Sequence, residues 1–186
     1  MARRRRQPRV RDSGRSLRVL VDAGDHRGTT SAFAPFSHLF GQALERFGRS
    51  ARPVGVHGPG HVAVTDERAR EEFWPHYLEV LRHYSKIRGF AVPTMESFMV
   101  EVGPEGALYV GSPETVAQKI AANPPALGAS RFELKFGMGG LSHASLMTNI
   151  ELYGTRVIPR VRELLERTEL KQPTGQIPAT TSREAI

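Results

Sequence analysis

The chain switches repeatedly between two hydrophobic periods, and that alternation limits its fold more than any other feature. "RPVGVHGPGH" (52–61) carries apolar residues without helical spacing and reads as a buried strand ending in a Gly/Pro loop. Thr65 then caps a helix with Asp66 and Glu67 at its positive end. Its apolar face is Ala69, Phe73, Tyr77, Val80, Leu81 and Tyr84. Pro75 falls inside that pattern and predicts a kink. "ALYVG" (107–111) reads as a short strand. After it, Ser112 caps a helix, Pro113 suits the first helical position, Val116, Ala117 and Ile120 form the buried side, and Pro124-Pro125 ends it. "SRFELKFGMGG" (130–140) is a strand running into a Gly-rich turn. Leu146, Ile150, Tyr153, Val157, Val161 and Leu164 then mark a last helix, bent at Gly154 and Pro159.

Earlier in the chain, Phe36, Phe40, Ala43, Leu44 and Phe47 recur at helical spacing before Gly48, and "LRVLV" (17–21) reads as a short strand. Residues 87–106 have no clean period and read as an excursion holding one short helix near 95–100. Strands and helices in alternation build βα units on a parallel sheet, so the fold class is α/β.

A length of 186 residues suits one domain with a real core. The net charge of +7 is concentrated at one end: residues 1–28 hold nine arginines against three aspartates, and the rest of the chain carries only +1. Residues 1–28 are therefore expected to be a basic, disordered segment, residues 29–170 the folded domain, and residues 171–186 a polar tail. The absence of cysteine excludes disulfides, thiolate metal sites and a cysteine nucleophile. No apolar run approaches the ~20 residues of a membrane span. "MARRRRQPRV" lacks the apolar segment of a secretory signal, so a cytoplasmic location is expected.

Three stretches, in order, resemble one family: "VGVHGPGHVAVTDERAREEFWPHY" (54–77), "GPEGALYVGSPETVAQKI" (103–120) and "RFELKFGMGGLSHASLMTNIELYGTRVIPRVREL" (131–164). They are similar to the C-terminal part of the luciferase-like flavin-dependent monooxygenases, the bacterial luciferase superfamily. The resemblance implies a TIM (β/α)8 barrel, which takes ~250 residues. The chain would then supply a partial barrel, about the last three to four βα units, with "LRVLV" as part of the fourth. It also implies an enzyme that uses FMN or a deazaflavin with molecular oxygen on a small organic substrate. A C-terminal fragment of this kind is expected to be inactive alone, to retain no flavin, and to self-associate through exposed barrel edges. Its apolar residues in 54–56 and 132–136 would face solvent on the barrel side. The Arg-rich start has no counterpart in the family.

In such a barrel the loops after the strands form the active-site face. The candidate cofactor-binding residues on that basis are His57, Gly111, Ser112, Gly139 and Gly140. Each also has a plain structural reading. Gly111-Ser112 can let a ligand approach and offer N–H groups to an anion, or be a capped βα corner. His57 can face a flavin or be a hydrogen-bonded structural residue. Gly139 and Gly140 can admit a ligand or simply make the turn. His57 and His61 are four apart, but Gly58, Pro59 and Gly60 intervene and no helix holds the pair, so no metal site is expected. Glu133 and Lys135 alternate with Phe132, Leu134 and Phe136; if the apolar side meets helices, the charged pair points into the barrel. No catalytic residue is assigned.

The alternative reading is a binding protein whose Arg tail contacts nucleic acid or an acidic partner. The run lacks interleaved aromatics, and a like-charge run is more often a solvated tail, so nucleic acid is not the expected partner. Any nucleic-acid binding should reside in residues 1–18. The eight arginines there limit the log–log salt slope to about −7. Deleting residues 1–18 should abolish such binding in a filter or anisotropy titration; binding that survives would place a site in the domain.

Overall fold

The computed structural model describes residues 34–50, 54–89 and 91–171; the Arg-rich segment, "LRVLV" and most of the C-terminal tail lie outside these. In chain order the elements are α1 (Ala34–Arg46), β1 (Val54–Val62), α2 (Asp66–Arg88), α3 (Met95–Val102), β2 (Tyr109–Gly111), α4 (Pro113–Ala126), β3 (Ala129–Lys135), α5 (His143–Leu152) and α6 (Ile158–Lys171). A π-helical turn, Tyr153–Val157, joins α5 to α6. The three strands form one parallel sheet in the order β2-β1-β3.

Strand β1 is central, and its pairing is divided along its length. Val54 to Pro59 lie against β3, whereas Gly60 to Val62 lie against β2. The expected Gly/Pro loop at 58–60 is instead the middle of this strand. The glycines are there because Tyr109 crosses β1 closely. A Cβ on Gly58 would lie 2.5 Å from the Tyr109 ring, and one on Gly60 would collide with the Tyr109 carbonyl oxygen. Consecutive barrel units would put strands side by side in chain order; here β2 and β3 flank β1.

Helices cover both sides of the β1/β2 region. Leu108 and Val110 join Ala63, Phe73, Tyr77, Phe98 and Val102 beneath α2 and α3. Tyr109, one residue out of phase, joins Val62, Val116, Ala117, Ile120 and Val157 on the side of α4 and α6. This is the period-two alternation of a strand between two apolar layers. Aromatic rings fill the first layer, with Trp74 and Phe98 centroids 4.9 Å apart and Phe73 and Tyr77 5.7 Å apart. Phe132 and Leu134 of β3 pack into the second layer, Phe132 at 4.4 Å from the Tyr109 ring. They are therefore not the residues left uncovered. The opposite side of β3 carries Arg131, Glu133 and Lys135, with Arg131 paired to Glu133 at 3.2 Å.

Several local expectations meet their outcome in this frame. Thr65, Ser112 and Ser142 each cap a helix by accepting an N–H three residues on. Helix α2 runs without interruption past Pro75. Pro124 and Pro125 sit in the last turn of α4 rather than ending it; Leu127 and Gly128 close the helix by donating to their carbonyls. The excursion contains α3, opened by a reciprocal Thr94–Ser97 capping box. Gly154 lies within the π-helical turn and Pro159 just after it; the Ile158 N–H reaches back to the Tyr153 carbonyl. The expected α1 stripe is largely open: Ala43 is exposed, Phe40 and Leu44 are only half-buried, and Phe47, just past the helix, is 73% exposed. Among the described residues no helix is long and apolar enough to cross a membrane.

The glycine contacts give a direct test. Gly60→Ala should destabilise the chain by about 1–3 kcal/mol or more, because backbone rather than a flexible side chain must yield. Gly41→Ala, in α1 with nothing within 4 Å, should stabilise by about 0.5–1 kcal/mol. Urea unfolding midpoints of the two variants check the contrast.

Candidate functional site

The polar groups of the fold gather where the strands end. After Lys135, β3 leaves the sheet, and β1 continues without it. The Val62 N–H then donates to Asn149 Oδ1 of α5 at 2.6 Å, so a side-chain amide serves the backbone where no strand is left to do so. Asn149 is fully buried, and its Nδ2 has no hydrogen-bond partner among the described residues.

Beside it on β1, His61 is also fully buried and stacks on Phe73 at 6.3 Å. Its Nε2 lies 2.7 Å from Glu72 Oε2, and the other carboxylate oxygen accepts from Arg68 Nε at 2.6 Å. With Glu72 ionised, Nε2 is the donor in this pair, while Nδ1 is buried and has no hydrogen-bond partner among the described residues. Partial burial pushes the Glu72 carboxyl up, but the bonds from His61 and Arg68 outweigh it and hold the group below its ordinary value.

A second group ties α2 to α4. Asp66 Oδ1 accepts the Ser112 N–H at 2.6 Å, and Oδ2 accepts the Thr115 hydroxyl at 3.0 Å. Partial burial pushes the Asp66 carboxyl up; the Ser112 and Thr115 hydrogen bonds and Arg70 together bring it below its ordinary value. The Thr115 N–H is taken by Ser112 Oγ at 3.4 Å. Two of the N–H groups that could cradle an anion at "VGSPET", those of Ser112 and Thr115, are thus engaged within the chain, the first by a carboxylate.

The five sequence candidates fall in three places. Gly111 ends β2, buried, and its hydrogen side faces Asp66 Oδ1 and Thr115; Ser112 is the next residue, at the α4 cap. Gly139 and Gly140 lie along α2. Gly139 comes near Val80, and Gly140 adopts φ +90° with its hydrogen side against the His76 ring. His57 is mid-strand, in register with Glu133, and by alternation lies on the face opposite Gly58, Gly60 and Val62. An open cleft of about 620 Å³ between α4 and α6 takes in Ser112, Arg156 and Arg160 but none of the other four. Among the described residues no group of three or more His, Asp or Glu is placed to hold a metal ion.

Sequence reading missed Asn149, Glu72 and the reach of Asp66. Asp66 carried a visible signal, an acid in the first turn, but that signal speaks only of its own helix. Asn149 carried none, because its neighbour Ile150 occupies the apolar pattern and is 45% exposed.

No family model and no curated protein matches the chain. Solved structures do. The crystal structure of monooxygenase RslO1 from Streptomyces bottropensis matches at TM-score 0.60 and 12% identity, over 78% of this chain and 42% of that one. The oxygenating constituent of 3,6-diketocamphane monooxygenase from the CAM plasmid of Pseudomonas putida, a type II Baeyer–Villiger monooxygenase in complex with FMN, matches at TM-score 0.50 and 19% identity. That match covers 72% of this chain and 41% of the other. The chain shares a fold with part of these monooxygenases and spans less than half the length of each.

The lowered carboxylates set an acid limb. Groups whose pKa falls on folding contribute stability that is complete above the unfolded values near pH 4 and is lost as pH drops through the folded ones. Asp66→Ala should cost about 1–3 kcal/mol at neutral pH, by orphaning the Ser112 N–H. It should also flatten the loss of stability below about pH 4. Unfolding midpoints measured from pH 7 to pH 3 check both.

Proposed function

We propose that residues 54–171 are the carboxyl-terminal part of a luciferase-like flavin-dependent monooxygenase or oxidoreductase. In this reading β1 and β3 are neighbouring strands of a (β/α)8 barrel, and β2 is a three-residue strand set in the connection between them. The observation that carries it is the β1–β3 ladder. It is parallel, has α4 and α6 against one side through Phe132 and Leu134, and presents His57, Glu133 and Lys135 on the other. That is what a barrel wall requires, apolar toward its helices and polar toward a lumen that holds chemistry. The matches to monooxygenases, one of them in complex with FMN, favour this reading over other parallel folds.

A bound flavin would supply the redox chemistry, oxygen insertion or hydride transfer on a small organic substrate. The part of this chain is to shape and orient. The lumen-side groups on β1 and β3 would set the polarity of the wall. The Asp66–Ser112 tie would fix the corner where β2 meets α4. Because Asp66 already ties the Ser112 N–H, most of the groups that grip the flavin are assigned to the rest of the barrel, and no catalytic step is assigned to a residue here.

Among the described residues β3 pairs only with β1, so its outer edge is an open template for another strand. The chain alone should therefore self-associate and hold no stoichiometric flavin. Co-expression with the amino-terminal half of a structurally matched monooxygenase should raise the soluble yield and bring flavin absorbance with it. Size-exclusion chromatography and the flavin spectrum of the purified material decide the matter. A monodisperse monomer with a sharp thermal transition, or a yellow preparation of the chain alone, would overturn this reading.

A further inference from the structure

Lys119 is a lysine of α4 that is only 5% exposed, with no carboxylate within ion-pair distance among the described residues. Its ammonium lies among four main-chain carbonyls: Gly103 at 2.6 Å, Leu108 at 2.7 Å, Val102 at 3.1 Å and Glu101 at 3.2 Å. The Tyr109 ring stands 5.3 Å from the same nitrogen.

The carbonyls come from one piece of chain. Glu101 and Val102 end α3, where carbonyls point out of the helix without partners inside it and the dipole is negative. The chain then folds back. Gly106 donates to the Gly103 carbonyl at 3.0 Å, Leu108 donates to the Glu101 carbonyl at 3.0 Å, and a Cβ on Gly106 would collide with the Glu101 backbone. Asn123, one turn beyond Lys119 on α4, donates to the Pro104 carbonyl at 3.0 Å from the rim.

We infer that residues 101–108 form a primary-ammonium binding site whose ligand is the chain's own Lys119, and that the emptied cage takes a free alkylammonium ion in its place. The chemistry is specific. An ammonium has three N–H donors and no acceptor, and the cage offers four oxygens and no anionic ligand. Burial pushes the Lys119 ammonium down to about 7, with Glu101 pulling the other way, and the four carbonyls stand within hydrogen-bond distance of its nitrogen. Glu101 does not close on the ammonium, because its carboxylate accepts the Tyr77 hydroxyl at 2.7 Å. Through the cage Lys119 acts as a positioning residue. It holds the α3–β2 connection on α4 and so sets where β2, Gly111 and Ser112 lie.

Hydrogen exchange followed by mass spectrometry on the full chain tests this, since peptide protection can be read in whatever oligomeric state the chain adopts. In the wild type, amides of residues 103–108 should be protected. Lys119→Ala should speed their exchange about tenfold or more while leaving residues 66–81 of α2 little changed. Propylammonium, which replaces the part of the side chain that alanine lacks, should restore protection. Tetramethylammonium, of equal charge but without N–H donors, should not. Lys119→Met, which keeps the apolar stem, should exchange as fast as the alanine variant. Protection equal to wild type in the methionine variant, rescue by tetramethylammonium, or an unprotected 103–108 in the wild type would each overturn the inference.

Discussion

The fold depends on how closely Tyr109 approaches β1. Its main chain pairs with Gly60, its ring lies over Gly58, and both contacts need a strand with no side chain at those two positions. Once the ring is seated, the rest of the second layer assembles around it, with Phe132 from β3, Val116, Ala117 and Ile120 from α4, and Val157 from the π-helical turn. Burial pushes the Tyr109 hydroxyl up to about 12, so it stays neutral in the apolar layer it organises. A bulkier β1 would displace β2, and with β2 the helix that follows it.

Much of this was written locally in the sequence. The caps at Thr65 and Ser112, the buried face of α4, the Ala69–Phe73–Tyr77–Leu81 part of the α2 face (its last expected member, Tyr84, is exposed) and the parallel sheet follow from residues within a few positions of one another. What could not be read depends on contacts between distant segments. "HGPGH" looks like a loop because Gly and Pro usually break strands; only the Tyr109 ring, some fifty positions away, makes glycine the residue that belongs there. The order β2-β1-β3 likewise depends on which edge of β1 is open at which height, which no local pattern encodes.

The candidate site was legible to a smaller degree, and for one recurring reason: the chain satisfies its own polar groups. The corner at Ser112 has the residue types of an anion cradle, and Asp66 from another helix occupies it. The carbonyls at the end of α3 have the arrangement of a cation site, and Lys119 fills them. Against this background two buried polar side-chain atoms without partners among the described residues, His61 Nδ1 and Asn149 Nδ2, stand out at either side of Val62. Both lie at the carboxyl end of the central strand, the part of a parallel sheet where chemistry is most often placed.

The π-helical turn bears on how the last helix keeps its place. Each residue of an α-helix advances the side-chain direction by about 100°, so a single wide turn changes the phase of everything after it. Val161 and Leu164 reach the layer around Tyr109 only because Tyr153–Val157 has made that adjustment. Removing one residue from the turn would restore a regular helix with better local hydrogen bonding. It would also rotate the apolar stripe of α6 by about a quarter of a revolution, away from the sheet. At this point of the chain an imperfect helix is the condition for a complete core, and the irregularity resists repair by small deletions.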